Sequence, residues 1–347
     1  MSEIMLQSPV ATLGISDIAA AQNWHWSKVT AKSVSDSTTL ANLLALDPDA
    51  LGQRITSNDF RLRVPLTFVS RMQPGSLSDP LLCQILPDSR EALQSDDCTS
   101  DPLNEKQSNV QPGVVHKYRG RVLLTAAVSC PINCRYCFRR HFPYNENRLT
   151  PKTWQPALDY IRNDSTIHEV ILSGGEPLLL NDETFSALFD ELEAIGHIKF
   201  LRIHSRFPIA VPQRLTSALC ERLSMSRCKV TLVLHSNHAN EIDEHVKLHL
   251  QALVTSPVTL LNQSVLLRGI NDNSQTLTEL SEALFEAGVL PYYLHATDPV
   301  AGTTHFQVND TKARKLAKAM TECLPGYLVP TLVREISGQR AKTRLPL

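Results

Sequence analysis

The chain has 347 residues, 42% of them hydrophobic and 20% charged, with a formal net charge of -1. This composition is that of a soluble globular protein long enough to bury a large core. Its charge balance gives no reason to expect nucleic acid or an anionic membrane surface as a partner. The first residues carry no basic-then-apolar export signal, and no apolar run is long enough to span a bilayer. A cytoplasmic protein is therefore expected, with its eight cysteines kept as thiols rather than paired in a disulfide framework.

Taken in order, residues 1–112 read as an N-terminal helical extension and linker. Residues 38–46 place apolar side chains on one helical face, and Pro65-Leu66-Thr67-Phe68-Val69 is a second short apolar piece. This part suits a helical cap or a dimer arm, which leaves a homo-oligomer open. From 93 to 113 the chain turns polar, as a linker or surface wrap does. Residues 113–330 change texture. Apolar strand candidates fall at 122–128, 169–172, 200–203, 229–234, 260–267 and 291–295. Helical segments follow at 151–162, 182–195, 212–223, 241–253, 275–287 and 310–322. Asn181 and Asn273 are cap-like residues, and Pro151 and Pro212 suit first helical turns. Alternating strands and helices predict an α/β fold with a parallel sheet. Six units fall short of the eight of a closed barrel, so the expectation is an incomplete (βα)6 TIM-like barrel. Residues 331–347 form a C-terminal segment.

In such folds ligands sit beyond the C-terminal strand ends. Cys130, Cys134 and Cys137 follow the first strand candidate at a C-x3-C-x2-C spacing. Thiolates this close can converge on one metal centre, and three of them on a four-iron cluster leave one iron open. Zinc and chance clustering are the alternatives. Structural zinc normally takes four ligands in two spaced pairs, and there is no second pair here, although His141 lies nearby. Ser173-Gly174-Gly175-Glu176-Pro177 follows the second strand, where two glycines let backbone approach a ligand and a carboxylate follows. His204 and Ser205 follow the third strand, His235 the fourth and Asp298 the sixth.

The three cysteines, with Tyr136 before the last of them, and the Gly-Gly-Glu-Pro turn together resemble the radical S-adenosylmethionine superfamily. The resemblance implies that Cys130, Cys134 and Cys137 hold a 4Fe-4S cluster. S-adenosylmethionine would fill the open iron, with Tyr136, Ser173, Gly174, Gly175, Glu176 and His235 lining its pocket. Glu176 would receive its amino group, and one electron would release a deoxyadenosyl radical. Over roughly 100–342 the chain further resembles the lysine 2,3-aminomutases. The matching stretches are Asp101-Pro102-Leu103, 116–123, Cys137-Phe138-Arg139-Arg140, 262–272 and Pro291-Tyr292-Tyr293. Its length is similar to that of the shorter bacterial members, whose β-lysine modifies translation elongation factor P.

That family resemblance implies pyridoxal 5'-phosphate as a second cofactor. Lys342 would carry it covalently, Arg121 would bind its phosphate, and Tyr118 and Gln263 would be its neighbours. Arg139 would clamp the α-carboxylate of L-lysine, with Asp298 and Glu335 holding its ε-ammonium. Two departures stand out. The family's glycine run before the lysine is here Ser337-Gly338-Gln339-Arg340-Ala341, and Glu335 stands where longer members have Asp. The implied reaction is isomerisation of L-lysine to β-lysine, in the R form. An electron-donor protein, and a separate ligase that attaches the product to elongation factor P, are implied as partners. The rival readings are an aminomutase for glutamate or arginine, a radical enzyme without pyridoxal phosphate, and a plain electron carrier.

Overall fold

The computed structural model describes residues 13–54, 60–93 and 98–346. Ten strands lie side by side in chain order. They are β1 Asn109–Gln111, β2 Val114–Tyr118, β3 Arg121–Ala127, β4 Glu169–Gly174, β5 Phe200–Ser205, β6 Lys229–His235, β7 Thr259–Val265, β8 Leu290–His295, β9 Thr331–Arg334 and β10 Thr343–Arg344. Neighbours from β3 to β9 pair in parallel. Parallel neighbours need crossover connections, and a helix supplies each: Gln155–Asn163, Asp182–Glu193, Ser217–Ser224, Glu244–Val254, Ser274–Glu286 and Asp310–Cys323. The six expected strand–helix units are thus present. A seventh parallel strand, β9, lies in what the sequence suggested was only a C-terminal segment, and the polar stretch 93–113 contains the helix Glu105–Ser108 and β1.

The barrel is incomplete because β1–β2–β3 and β9–β10 are antiparallel flaps at opposite ends of the sheet. Among the described residues no backbone pairing joins β1 to β10. The seam is bridged instead by side chains, with Lys117 and Tyr118 of β2 bonded to Glu335 just past β9.

Alternation along each strand separates two environments. Val122, Leu124 and Ala126 of β3, Val170 and Leu172 of β4, and Leu232 and Leu234 of β6 enter a large apolar cluster beneath the helices. The intervening residues, Arg121, Leu123, Arg202, His204, His235, Gln263 and His295, are only partly buried and face the other way. The inside of this barrel is therefore a polar cavity.

Asn181 and Asn273 cap their helices as expected, accepting from Thr184 N (2.8 Å) and Thr276 N (2.9 Å), each worth about 1 kcal/mol. The predicted starts at Pro151 and Pro212 are four and five residues too early, the helices beginning at Gln155 and Ser217. Pro151 sits in a turn closed by Thr150 and Thr153, and Pro156 takes the first turn of the helix Gln155–Asn163. Pro212 opens only a short 3-10 turn, and the longer helix begins at Ser217, capped by Thr216.

The N-terminal helices share the barrel's core. Leu40, Val64, Phe68 and Leu82 belong to the same apolar cluster as the helix-facing strand residues, and burying a residue such as Phe68 contributes about 1.5–3 kcal/mol. Thr67 Oγ1 donates to Ala210 O (2.6 Å), and Arg71 Nη2 to Ile209 O (2.6 Å). This region also grips the cysteine loop. Asn133 N donates to Arg63 O (2.9 Å), and Arg135 N to Gln84 O (2.8 Å). The buried Glu91 carboxylate accepts from Arg135 Nε and Arg140 Nη2, both at 2.7 Å.

Candidate active site

Two constellations line the polar end of the barrel. The first is the loop after β3. Cys130, Cys134 and Cys137 are free, partly buried thiols. Burial, then Cys137 and the Glu176 carboxylate, pushes Cys130 well up, while burial and Cys134 push Cys137 up to about 11. The thiols thus lie close enough to oppose one another's ionisation. Among the described residues no three His, Cys, Asp or Glu side chains are already converged on a metal position. The donor set nevertheless fits an iron cluster, because iron cations offset the burial, and then the neighbouring charge, that disfavour thiolates at Cys130 and Cys137.

The turn after β4 is pressed against this loop. Gly175 N donates to Ala127 O (3.0 Å), and Glu176 N to Ser129 O (2.9 Å). A Cβ on Gly175 would lie 2.7 Å from Ser129 O and 2.8 Å from Ala127 O, so no other residue fits without moving backbone. Gly174 has φ +99° and would bring a Cβ to 2.5 Å from Thr125 Cγ2. Tyr144 OH donates to the Gly174 carbonyl (2.8 Å).

Glu176 was expected to face a ligand. Its carboxylate instead braces the turn, accepting from Ser205 Oγ (2.7 Å), Arg206 N (3.0 Å), Phe207 N (3.1 Å) and Leu178 N (3.1 Å). Burial pushes it up to about 7, against four donors that favour the ionised form. Tyr136 and His235 meet at the end of β6, with Tyr136 OH 2.8 Å from His235 Nε2. Burial, then Arg206, lowers His235 to about 3, so its ring is neutral. Around them runs a buried polar network. Arg206 donates to Cys134 Sγ (2.7 Å), to Gln84 Oε1 (2.7 Å) and to Glu241 Oε2 (2.9 Å), while Asn237 Nδ2 donates to Tyr136 OH (2.6 Å).

The second constellation straddles the seam. Lys342, just before β10, donates from Nζ to Glu335 Oε2 (2.7 Å). Glu335 Oε1 accepts from Lys117 Nζ (2.6 Å) and Tyr118 OH (3.0 Å). Burial alone would raise Glu335, but Lys342 and Lys117 outweigh it and hold the carboxyl well below its usual range. Asp298, beyond β8, has no such contact. Burial and then the Glu335 charge push it up to about 7, so the two acids sense one another across the cavity. Arg121, on β3, lies with Cζ 4.8 Å from the Tyr118 ring, and its buried Nε has no partner among the described residues. An unpaired guanidinium at a cavity wall suits an anion such as a phosphate, so the residues present fit pyridoxal phosphate. Gln263 stands inward on β7, in register with His235 and Tyr293.

Arg139 was expected to stand ready for a substrate carboxylate. It is buried, and Glu105 Oε2 and Oε1 accept from its Nε and Nη2, each at 2.7 Å. Sequence reasoning assigned no role to Glu105, Lys117 or His295, and it placed His204 among the strand-end candidates without giving it a role. Both histidines bury an Nε2 that has no partner among the described residues. Burial lowers both, and the Lys342 ammonium adds to the effect in each case. The signal for them was available: each is a histidine at an inward, period-2 position of a parallel strand. Glu105, inside a polar run, gave no signal.

The loop and turn define a radical S-adenosylmethionine protein. Residues 125–227 match the Radical SAM superfamily, which implies a 4Fe-4S cluster and S-adenosylmethionine. The chain is 48% identical over 324 residues to the L-lysine 2,3-aminomutase of Escherichia coli (strain K12), covering 93% of this chain and 94% of the relative. It is 45% identical to that of Haemophilus influenzae (92% and 95% covered) and 33% identical to that of Clostridium subterminale (92% and 77% covered). The chain belongs to the lysine 2,3-aminomutase family, and is an isomerase.

Proposed function

We propose that the protein converts L-lysine to β-lysine, in the R form, and that a separate ligase attaches this product to elongation factor P. One observation carries the reading: the cavity is charged in a sense complementary to lysine. A guanidinium, Arg139, stands at one end and two carboxyls, Asp298 and Glu335, at the other. The Lys342 and Lys117 ammoniums hold Glu335 in place of substrate, while Glu105 takes only one edge of Arg139. An acidic side chain would be repelled where a lysine ε-ammonium is attracted.

When bound, the cluster with S-adenosylmethionine supplies hydrogen abstraction by a carbon radical, and pyridoxal phosphate supplies covalent activation of the migrating amino group. The chain's residues do the rest. Cys130, Cys134 and Cys137 would hold the cluster. Tyr136, Ser173, Gly174, Gly175, Glu176 and His235 would shape the nucleotide pocket. Arg121, Tyr118, Gln263 and Lys342 would hold the phosphate cofactor, Lys342 covalently. Arg139, Asp298 and Glu335 would fix a single substrate pose, and thereby one product hand. The N-terminal helices over the cysteine loop exclude water and stray hydrogen donors.

Cytoplasmic residence and an electron-donor protein complete the proposal, and no helix among the described residues is long and apolar enough to cross a membrane. The elongation-factor assignment rests on the sequence's resemblance to the shorter bacterial members of the family. The test is anaerobic reconstitution with L-lysine, chiral chromatography of the product, and its presentation to the ligase with elongation factor P. A single R product accepted by the ligase is expected. A racemic product, or one the ligase refuses, would refute this part of the reading.

A further inference from the structure

The Arg139 side chain is fixed on three sides. Its Nε and Nη2 edge is taken by both oxygens of Glu105 at 2.7 Å. One face of the guanidinium lies 4.8 Å from the Phe138 ring centroid, and Phe142 is 6.0 Å away. What remains is the Nη1 edge, which meets Ser173 Oγ at 3.4 Å, a weak contact from an inward position of β4. A guanidinium has two edges able to bind a carboxylate side by side. Here one is permanently filled from behind, and the other points into the barrel.

Glu105 is itself held. Its backbone N donates to Asp101 Oδ1 (2.9 Å). Two residues before Asp101 in the same strap, Thr99 N donates to Pro299 O (3.0 Å) and Thr99 O accepts from Ala301 N (3.0 Å), beside Asp298. Asn104 Nδ2 donates to Ser337 Oγ (2.9 Å), close to Glu335. The strap that carries Glu105 is therefore pinned to both elements that carry the acid pair, so the two ends of the substrate cavity are set by one piece of chain.

We infer that Glu105 is the positioning residue that orients Arg139, so that its free edge reads the α-carboxylate of the amino-acid substrate. The inference rests on the reading of Arg139 as the carboxylate clamp. Without Glu105 the buried cation loses its orientation and its neutralising partner, and it turns its free edge away from the cavity. Pro102, Leu103, Glu105, Phe138, Arg139 and Phe142 border a narrow, partly open cleft, so water can reach a truncated side chain there.

The experiment measures equilibrium binding of L-lysine and of L-lysinamide, whose carboxylate is replaced by a neutral amide, to the reconstituted enzyme without reductant. No turnover then occurs. The wild type should prefer L-lysine by roughly tenfold or more, as one charge-assisted bidentate contact provides. Arg139→Gln should abolish that preference. Glu105→Ala should reduce it to within about twofold while leaving lysinamide binding unchanged, and Glu105→Asp should restore part of it. If Glu105→Ala keeps the full preference while Arg139→Gln loses it, the positioning role is wrong and the clamp stands. Equal weakening of both ligands by Glu105→Ala would mean a general loss of the cavity, and it too overturns the inference. If the wild type shows no preference, or Arg139→Gln retains it, the clamp reading itself fails.

Discussion

The two constellations of the cavity are built in opposite ways. The cysteine loop and the Gly-Gly-Glu-Pro turn follow two adjacent strands, and backbone contacts hold them: Gly175 to Ala127, Glu176 to Ser129. Behind them the charges are buried in ion pairs, with Arg206 on Glu241 and Arg135 on Glu91. The seam constellation draws on β2, β3, β7, β8 and the segments after β9, and it holds its charges in the cavity wall on exchangeable partners. Lys342 and Lys117 sit on Glu335, while Arg121 Nε has no partner among the described residues. The first arrangement suits a cofactor that must not move. The second suits ligands that come and go, because each of the chain's own ion pairs can be exchanged for one to cofactor or substrate.

This contrast can be broken at either end. The largest effects are expected from the covalent anchors. Cys134→Ala should abolish turnover and most bound iron while pyridoxal absorbance persists, and Lys342→Ala should abolish turnover and that absorbance while iron persists. Iron analysis and visible spectra check both, and a variant that loses both groups together would contradict the separation of the two constellations. Glu335→Gln comes next. It leaves two ammoniums without their shared carboxylate, so L-lysine affinity should fall at least tenfold and stability by about 1–3 kcal/mol, read by equilibrium dialysis and denaturant melts.

The pH dependence is a finer test. Asp298 titrates near 7 because burial and Glu335 disfavour its charge. It is ionised above that pH and neutral below, so its hold on an ammonium weakens as pH falls. L-Lysine affinity should drop roughly tenfold from pH 8 to pH 6, and Asp298→Asn should flatten the profile at the weak level. The same raised value makes the ligand-free fold bind a proton that the unfolded chain has released. Asp298 therefore costs stability as pH rises from about 4 to about 7, and Asp298→Asn should reduce that slope. The smallest effect belongs to a residue outside both constellations. Asn273→Ala removes a helix cap and should cost about 1 kcal/mol with unchanged lysine affinity.

How much the sequence revealed follows the same division. The barrel units were legible because each strand and helix has its own period, and the cluster loop because its residues are contiguous. β9 was not, since Thr331-Leu332-Val333-Arg334 is too short to show a period. Lys342 lies in a polar tail, and resemblance, not pattern, singled it out. Glu105 lies in a run that composition reads as linker, and its meaning appears only when Arg139 folds against it. Glu176 was legible as a site residue, but its structural work, three hydrogen bonds bracing the turn to the end of β5 and a fourth within the turn, was not. Local motifs report local chemistry; a pair joined across 34 residues does not.

The central claim is that the cavity's charges select a cationic amino acid. The direct measurement offers L-lysine and L-glutamate together, in equal amounts, to the anaerobically reconstituted enzyme with S-adenosylmethionine, pyridoxal phosphate and a reductant, and resolves the β-amino acids formed. The account predicts β-lysine and no β-glutamate. β-Glutamate as the main product would contradict it.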